Sequence, residues 1–147
     1  MSQLYKGTIK TVGESMARST TDAHAFKIFM DEPEALGGKN AAPSPLDFIL
    51  AAHGGCLNFM TFFIANEMGI SIEGTEISIS GEIDPGKFSG ANLEVRAGYQ
   101  SLAVTIDVKS SASEEEIEKL RAAVEARCPV SDNISNATPV TISMKSI

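Results

Sequence analysis

Cysteine and histidine are scarce in this sequence of 147 residues, with two of each. Cys56 and Cys128 stand 72 residues apart, a spacing that fits neither a zinc knuckle nor a CxxC redox motif. The only histidines in the sequence are His24 and His53, so we do not expect a zinc site. The sequence also lacks a phosphate-binding glycine loop, a GxSxG motif and a dinucleotide fingerprint. We therefore expect no metal, flavin or nicotinamide cofactor.

The sequence has fewer positive than negative side chains, with 12 Lys and Arg against 19 Asp and Glu, so its net charge is −7. This balance argues against nucleic acid or an anionic membrane as a partner. The start of the chain, MSQLYKGTIK, has no apolar signal-peptide core, and we expect a cytoplasmic protein. A permanent disulfide is not expected in that compartment. The two cysteines are then either inert core thiols or a working pair.

One long apolar stretch, residues 44–69 (SPLDFILAAHGGCLNFMTFFIANEMG), dominates the chain. Apolar residues fall on nearly every face of its helical projection, which predicts a buried helix, and its polar interruptions argue against a membrane span. Ser44 fits the N-cap, Pro45 the first helical position and Asp47 the capping box. The adjacent Gly54 and Gly55 predict a kink or a join between two helices, with Cys56 near a fresh helix N-terminus.

The remaining pattern predicts an α+β fold with largely antiparallel sheets, in one domain covering residues 1–147. An amphipathic helix is expected after the Ser113–Glu116 capping box, ending at Pro129, with an irregular turn after it. Because one small domain cannot cover an all-round apolar helix, we expect a homodimer to enclose it. The predicted strands are residues 3–12, 15–21, 25–30, 72–84, 91–99, 102–109 and 140–144.

After these exclusions, thiol chemistry at the two cysteines is the remaining candidate. A helix N-terminus or a nearby cation lowers the pKa of a cysteine, and Arg18 is a candidate for that cation. A peroxidatic thiol becomes a sulfenic acid and needs a second thiol to condense with, a role that Cys128 fills if the fold brings it close. His53 fits either tuning of the thiol or ordinary core packing. Phe59 and Phe63 fit either plain core or an apolar channel for alkyl chains.

Two segments carry a family resemblance: GGKNAAPSPLDFILAAHGGC and, near the C-terminus, CPVSDNISNATPV. They resemble the OsmC/Ohr family of osmotically inducible and organic hydroperoxide resistance proteins, and nearly the whole chain matches in order and spacing. The resemblance implies a domain-swapped homodimer in which two sheets wrap around central buried helices, with active sites at the subunit interface. It also implies that Cys56 attacks the peroxide, Cys128 resolves the sulfenic acid and Arg18 holds the thiolate.

One position departs from the hydroperoxide-reducing members, which carry a glutamate ten residues before the first cysteine. Leu46 stands there in this sequence, and the nearest acid is Asp47. A shift of one residue turns a side chain by about 100° around a helix. Asp47 is therefore a candidate partner for Arg18 only in a variant geometry, and the segment is more similar to the OsmC-like branch.

Three functions follow as hypotheses. The first is a thiol peroxidase acting on organic hydroperoxides, with its disulfide reduced by an external dithiol such as a lipoylated protein. The second is a non-peroxidatic dimer that binds a small molecule or lipid, or that senses redox state. The third, thiol–disulfide exchange, ranks below both because an exposed CxxC is missing.

Overall fold

The computed structural model describes residues 4–146, which form two compact units, residues 4–51 and 52–146. Antiparallel strands and separate helices make up both, which confirms the α+β class. The elements in chain order are β1 (Lys10–Gly13), β2 (Ser19–Ala23), β3 (Phe26–Met30), α1 (Pro45–Glu67), β4 (Ile72–Ile83), α2 (Gly86–Ser89), β5 (Tyr99–Ser110), α3 (Glu114–Arg127) and α4 (Pro129–Ser135).

The first unit contains a three-stranded antiparallel sheet in the order β1-β2-β3. Thr11 pairs with Thr21 across β1 and β2, and their hydroxyls hydrogen-bond at 2.7 Å. A two-residue turn joins β2 to β3, and His24 adopts the left-handed conformation there at φ 56°. All three predicted strands are present but shorter than predicted, and residue 3 lies outside the described residues. Residues 14–17 form bends, so Arg18 precedes β2 instead of lying on it.

A buried carboxylate organises the loop between β3 and α1. Asp31 is 1% exposed and accepts hydrogen bonds from the backbone amides of Glu32, Lys39 and Ala41. These amides, led by that of Ala41, lower the pKa of Asp31. Gly38 is required within this loop because a Cβ there would lie 1.7 Å from the carbonyl oxygen of Glu32. The glycines of the GGKNAAP segment therefore permit the compact loop that connects β3 to α1.

The start of α1 confirms the predicted capping box. The Asp47 carboxylate accepts from the amide and the hydroxyl of Ser44 at 2.8 and 2.7 Å, and the Asp47 amide donates to the Ser44 hydroxyl at 3.2 Å. The predicted break at Gly54 and Gly55 is wrong, because α1 runs unbroken from Pro45 to Glu67. The buried residues His53 and Leu57 flank the glycine pair, and tertiary packing of this kind offsets the cost of about 1 kcal/mol per glycine. Gly54 itself lies near Ile79.

Within the second unit, α1 has one buried face and one exposed face. Its length and composition alone would suit a membrane span, but the buried face makes it the core helix of this fold. The expectation that α1 is buried on every side is therefore not met in the single chain. The buried residues of α1 are His53, Leu57, Met60, Thr61, Ile64 and Ala65.

The strands β4 and β5 form a long antiparallel pair, with Ile77 opposite Ile106 and Ile79 opposite Val104. The predicted strand at residues 102–109 lies within β5. The predicted strand at residues 91–99 is wrong, since turns and bends fill that region up to Tyr99. The segment is rich in turn-forming residues, and one of them, Asn92, accepts from the Glu94 amide at 3.1 Å.

The core of the second unit is completed by α3. Its predicted capping box is confirmed, because Ser113 and Glu116 exchange both hydrogen bonds. Leu120 and Val124 are buried against α1, as the apolar stripe predicted. The helix ends at Arg127, and a short helix, α4, then replaces the first part of the predicted irregular turn.

The predicted final strand at residues 140–144 is wrong, since residues 137–146 have no regular secondary structure. A strand needs a neighbour to satisfy its backbone groups, and none of the described strands pairs with this segment. Its alternating apolar side chains, Val140, Ile142 and Met144, are at least 76% exposed.

Candidate active site

The two cysteines meet although they are 72 residues apart in sequence. The Cys128 thiol donates a hydrogen bond to the Cys56 sulfur, and the Sγ–Sγ distance is 3.3 Å. Both are free thiols. Cys56 is half-buried on α1, whereas Cys128 is 1% exposed and belongs to the hydrophobic core. The pair therefore presents one accessible sulfur with a second, sheltered sulfur directly behind it.

A proline determines the position of Cys128. The residue before a proline avoids the helical conformation, and Cys128 adopts φ −74° and ψ 113°, so α3 ends at Arg127. Pro129 then occupies the first position of α4, where its missing N–H costs nothing. Cys128 thus becomes the N-cap of α4, and its sulfur accepts from the Ser131 amide at 3.5 Å. The helix N-terminus expected at Cys56 is found at Cys128 instead.

The two thiols differ in acidity. Burial raises the pKa of Cys56, and the Cys128 thiol adds to this rise while the Val130 amide opposes it. Burial acts in the same direction on Cys128, but hydrogen bonds from Ser131, from the Cys56 thiol and from the Val130 amide together outweigh it and bring the pKa of Cys128 below its ordinary value. The sulfurs titrate as a coupled pair. Within the second unit, the hydrogen-bond donors favour a thiolate at Cys128.

A histidine and a serine lie close to the cysteine pair, on the side of Cys128. The Nε2 atom of His53 lies 2.8 Å from the Oγ atom of Ser131. His53 is 6% exposed, and burial lowers the pKa of its imidazole, which favours the neutral ring. Its position three residues before Cys56 puts both on the same side of α1. Ser131 had no predicted role, although its place in the C-P-V-S segment, at the third position of a proline-started helix, was a usable signal.

The other two predicted site residues lie in the first unit. The Arg18 guanidinium pairs with Glu14 at 3.9 Å, and its charge contributes to the lowered pKa of Asp31. The Asp47 carboxylate is held by the hydroxyl and amide of Ser44, which lower its pKa. Capping thus accounts for the contacts of Asp47. The catalytic roles of Arg18 and Asp47 stay predictions.

Aromatic rings line the exposed face of α1 next to Cys56. Phe59 and Phe63 stack at 5.7 Å between centroids, and the Arg127 guanidinium lies 5.9 Å from the Phe63 ring centre. They are 62% and 46% exposed, so the plain-core interpretation is wrong for both in the single chain. Cys56, Phe59 and Phe63 follow an i, i+3, i+7 spacing and share one face of the helix.

The arrangement suits two-electron thiol chemistry. A sulfur that gains an oxygen at Cys56 would have a second sulfur within reach, which is what disulfide formation requires. Among residues 4–146, no group of three or more His, Cys, Asp or Glu side chains is placed to hold a metal ion.

Comparison with known families decides the relationship. The sequence profile of the family described as OsmC-like protein matches residues 37–143, a span that includes Cys56 and Cys128 but not Arg18. The chain belongs to the OsmC-like protein family. The resemblance seen in the sequence is thereby confirmed. A search of individual curated proteins found no significant match.

Solved structures share the fold of this OsmC-like protein. An OsmC-like protein from Mycoplasma pneumoniae superposes with a TM-score of 0.77 at 20% identity, covering 89% of this chain and 88% of its own. A protein from Legionella pneumophila is described as an organic hydroperoxide resistance protein OsmC and predicted redox protein. It gives a TM-score of 0.65 at 22% identity, covering 90% of this chain and 91% of its own.

A third structure carries a ligand. A protein from Vibrio cholerae, provisionally named an organic hydroperoxide resistance protein, has captopril bound in one of its active sites. It gives a TM-score of 0.67 at 17% identity, covering 91% of this chain and 87% of its own. At these identities the likeness establishes the fold, and function has to be argued from the residues of this chain.

Proposed function

We propose that this OsmC-like protein is a thiol-dependent peroxidase that reduces organic hydroperoxides. The observation that carries the proposal is the 3.3 Å contact between two free sulfurs of unequal exposure. A peroxide would reach the half-buried Cys56 before the buried Cys128. The accessible sulfur therefore fits the attacking role and the sheltered sulfur the resolving role, as the family resemblance implies.

The chemistry balances in three steps. The Cys56 thiol gives up its proton, the thiolate attacks the terminal peroxide oxygen and the O–O bond breaks. Cys56 becomes a sulfenic acid, and the alkoxide takes up the released proton and leaves as the alcohol. Cys128 attacks that sulfur and water leaves, for which the sulfurs must close from 3.3 Å to about 2.05 Å. An external dithiol, for example on a lipoylated protein, then supplies two electrons and reopens the disulfide.

Cys56 needs a cation for the first step, because burial raises its pKa and the thiolate is the nucleophile. Arg18 is the proposed source of that positive charge, and its ion pair with Glu14 leaves it about half exposed. Asp47 is engaged with Ser44, so its pairing with Arg18 would require rearrangement. Phe59 and Phe63 are proposed to form an apolar channel for the alkyl group of the substrate.

The same exposed face supports a homodimer. Phe59, Phe62 and Phe63 form an exposed aromatic patch on one side of α1, and residues 137–146 present unpaired apolar side chains. Monomeric soluble proteins rarely leave such patches open. A second copy of the chain, with exchanged elements as the resemblance implies, is the proposed cover. We place the reaction in the cytoplasm, where free thiols persist.

A second candidate is a non-peroxidatic dimer that binds a small molecule or lipid. Two observations favour it: the raised pKa of Cys56 and the leucine at position 46, where hydroperoxide-reducing members carry a glutamate. The exposed aromatic rings beside Cys56 would then hold an apolar ligand without chemistry.

Thiol consumption separates the two candidates. Adding cumene hydroperoxide to the reduced protein should remove two titratable thiols per chain, because Cys56 and Cys128 close one disulfide. Cys56→Ser should abolish the loss at Cys128, whereas Cys128→Ser should let Cys56 proceed to sulfinic acid for want of a resolving thiol. Thiols that stay titratable in excess peroxide would support the binding protein instead.

Replacement of Arg18 tests the electrostatic role. Arg18→Ala should remove the proposed cation that lowers the pKa of Cys56 and slow oxidation by cumene hydroperoxide about 100-fold, the order expected for losing one charge-stabilising group. Stopped-flow measurement of peroxide consumption gives the rate. Arg121→Ala is the matched control, since Arg121 pairs with Glu118 and Glu125 on α3. An unchanged rate in Arg18→Ala would remove Arg18 from the site.

The dimer is tested by sedimentation velocity across a range of protein concentrations. A dimer is expected, and Phe62→Glu should weaken it because a charge would be buried in the covered patch. A monomer at all concentrations would contradict the proposal.

A further inference from the structure

Two contacts lie side by side between α1 and the start of α4. In one, the sulfurs of Cys56 and Cys128 are 3.3 Å apart. In the other, Nε2 of His53 is 2.8 Å from the Ser131 hydroxyl oxygen. His53 comes three residues before Cys56 in α1, and Ser131 comes three residues after Cys128. The two contacts therefore join the same two segments, about one helical turn apart along α1.

The helix α4 is too short to hold its position by itself. It has seven residues, Pro129–Ser135, none of which is buried, and isolated helices of this length are marginal in water. Val130 packs against the core while remaining partly exposed. The Asn133 side chain donates to the Pro129 carbonyl, within the helix itself. The Ser131 hydroxyl, by contrast, contacts α1 and ties the first turn of α4 to the core helix.

The bond between His53 and Ser131 is sheltered from water. His53 is 6% exposed and Ser131 is half-buried, so water competes little for either group and the bond is stronger than it would be at the surface. Ser131 also contacts the thiol, since its backbone amide donates to the Cys128 sulfur at 3.5 Å. A shift of Ser131 away from α1 would therefore move Cys128 as well.

The other ring nitrogen of His53 indicates which bond accounts for the imidazole in the core. Nδ1 is buried and has no hydrogen-bond partner among the described residues, which is unfavourable for a polar atom. An apolar side chain of similar size would avoid that cost. In the neutral ring one nitrogen carries the hydrogen, and on Nε2 that hydrogen has the Ser131 oxygen as its acceptor. This bond is the contribution that an apolar residue could not make.

We propose that the hydrogen bond between His53 and Ser131 positions Cys128 for attack on the oxidised Cys56. The sulfurs have to close from 3.3 Å to about 2.05 Å, and the bond keeps the first turn of α4 close enough for that approach. The hydrogen of the Cys128 thiol and the hydroxyl of the sulfenic acid leave together as water while the S–S bond forms. His53 and Ser131 are positioning residues and exchange no proton in this step. The inference rests on the proposed peroxidase function and assigns it two further residues.

Rapid closure of the disulfide protects Cys56 from a second peroxide. A sulfenic acid that waits for its partner reacts again and becomes a sulfinic acid, which a dithiol does not reduce. The fate of Cys56 thus depends on the share of time that Cys128 spends within reach. The bond between His53 and Ser131 raises that share without entering the chemistry.

The disulfide equilibrium in glutathione buffers tests the positioning without any peroxide. Oxidised glutathione takes two electrons from the two thiols, which gives the Cys56–Cys128 disulfide and two molecules of reduced glutathione. Alkylation followed by intact-mass spectrometry gives the fraction oxidised. Ser131→Ala and His53→Leu should each lower the effective concentration of the thiols about 3- to 10-fold, the range that corresponds to one hydrogen bond. Ser135→Ala on the same helix is the control and should stay within about twofold of wild type.

Conservative variants separate positioning from packing. His53→Gln and Ser131→Thr keep a group that can form the hydrogen bond, so both should restore the equilibrium. The double variant of His53→Leu and Ser131→Ala should fall no further than either single change, because both remove the same bond. Additive losses, or wild-type equilibria in both single variants, would overturn the proposal. If His53→Leu does not fold, the comparison of Ser131→Ala with Ser131→Thr still decides it.

Peroxide then relates the positioning to the proposed function. With cumene hydroperoxide, Ser131→Ala should form sulfenic acid at Cys56 at the wild-type rate but accumulate more sulfinic acid, as measured by mass spectrometry. Slower formation of the sulfenic acid would overturn a role confined to Cys128. If the glutathione equilibrium shifts as predicted but cumene hydroperoxide oxidises no thiol, the positioning stands and the peroxidase function fails. Normal peroxide oxidation with an unshifted equilibrium would overturn the positioning and leave the peroxidase function in place.

Discussion

The contact between the sulfurs of Cys56 and Cys128 is the constraint on which the account depends, and its origin is local. Pro129 cannot continue the preceding helix, so α3 ends at Arg127 and α4 begins at Pro129. That interruption leaves Cys128 between two helices, facing α1. Leu120, Val124 and Cys128 belong to the same buried core cluster as the inward-facing residues of α1, and the two sulfurs lie 3.3 Å apart there. The helix break at Pro129 and the shared hydrophobic core therefore bring the two cysteines together.

The unequal environments of the two thiols divide the chemistry between them. Cys56 sits inside an unbroken helix, half-buried beside exposed aromatic rings, and its pKa is raised. Cys128 is enclosed, caps α4 and is made more acidic by Ser131. The sheltered sulfur is thus prepared to react as a thiolate with an oxidised neighbour. The accessible sulfur requires a positive charge from elsewhere, and Arg18 is the proposed source.

Several elements of the fold could be predicted from the sequence because their signals were local. The Ser44–Asp47 and Ser113–Glu116 boxes, the apolar stripe on α3 and the family segments all gave correct predictions. The predicted break at Gly54 failed because helix propensity is a weak preference that packing overrides. The predicted strand at residues 140–144 failed because a strand depends on a neighbour that its own sequence does not specify.

The candidate site was harder to predict for the same reason. The pairing of the two sulfurs depends on tertiary packing, and the sequence offered it only through resemblance. The hydrogen bond between His53 and Ser131 joins residues 78 positions apart and has no periodic signature. The acidity of Cys128 likewise follows from its capping position, whereas the glycine pair suggested that role for Cys56.

Intact-mass spectrometry of protein quenched at millisecond intervals after mixing with one equivalent of cumene hydroperoxide tests the central claim most directly. The account predicts that a species with one added oxygen on Cys56 appears first and then converts to a species lacking two hydrogens, with Cys56 and Cys128 joined within one chain. Oxygen added first to Cys128, or a disulfide that joins Cys56 to another chain, would contradict it.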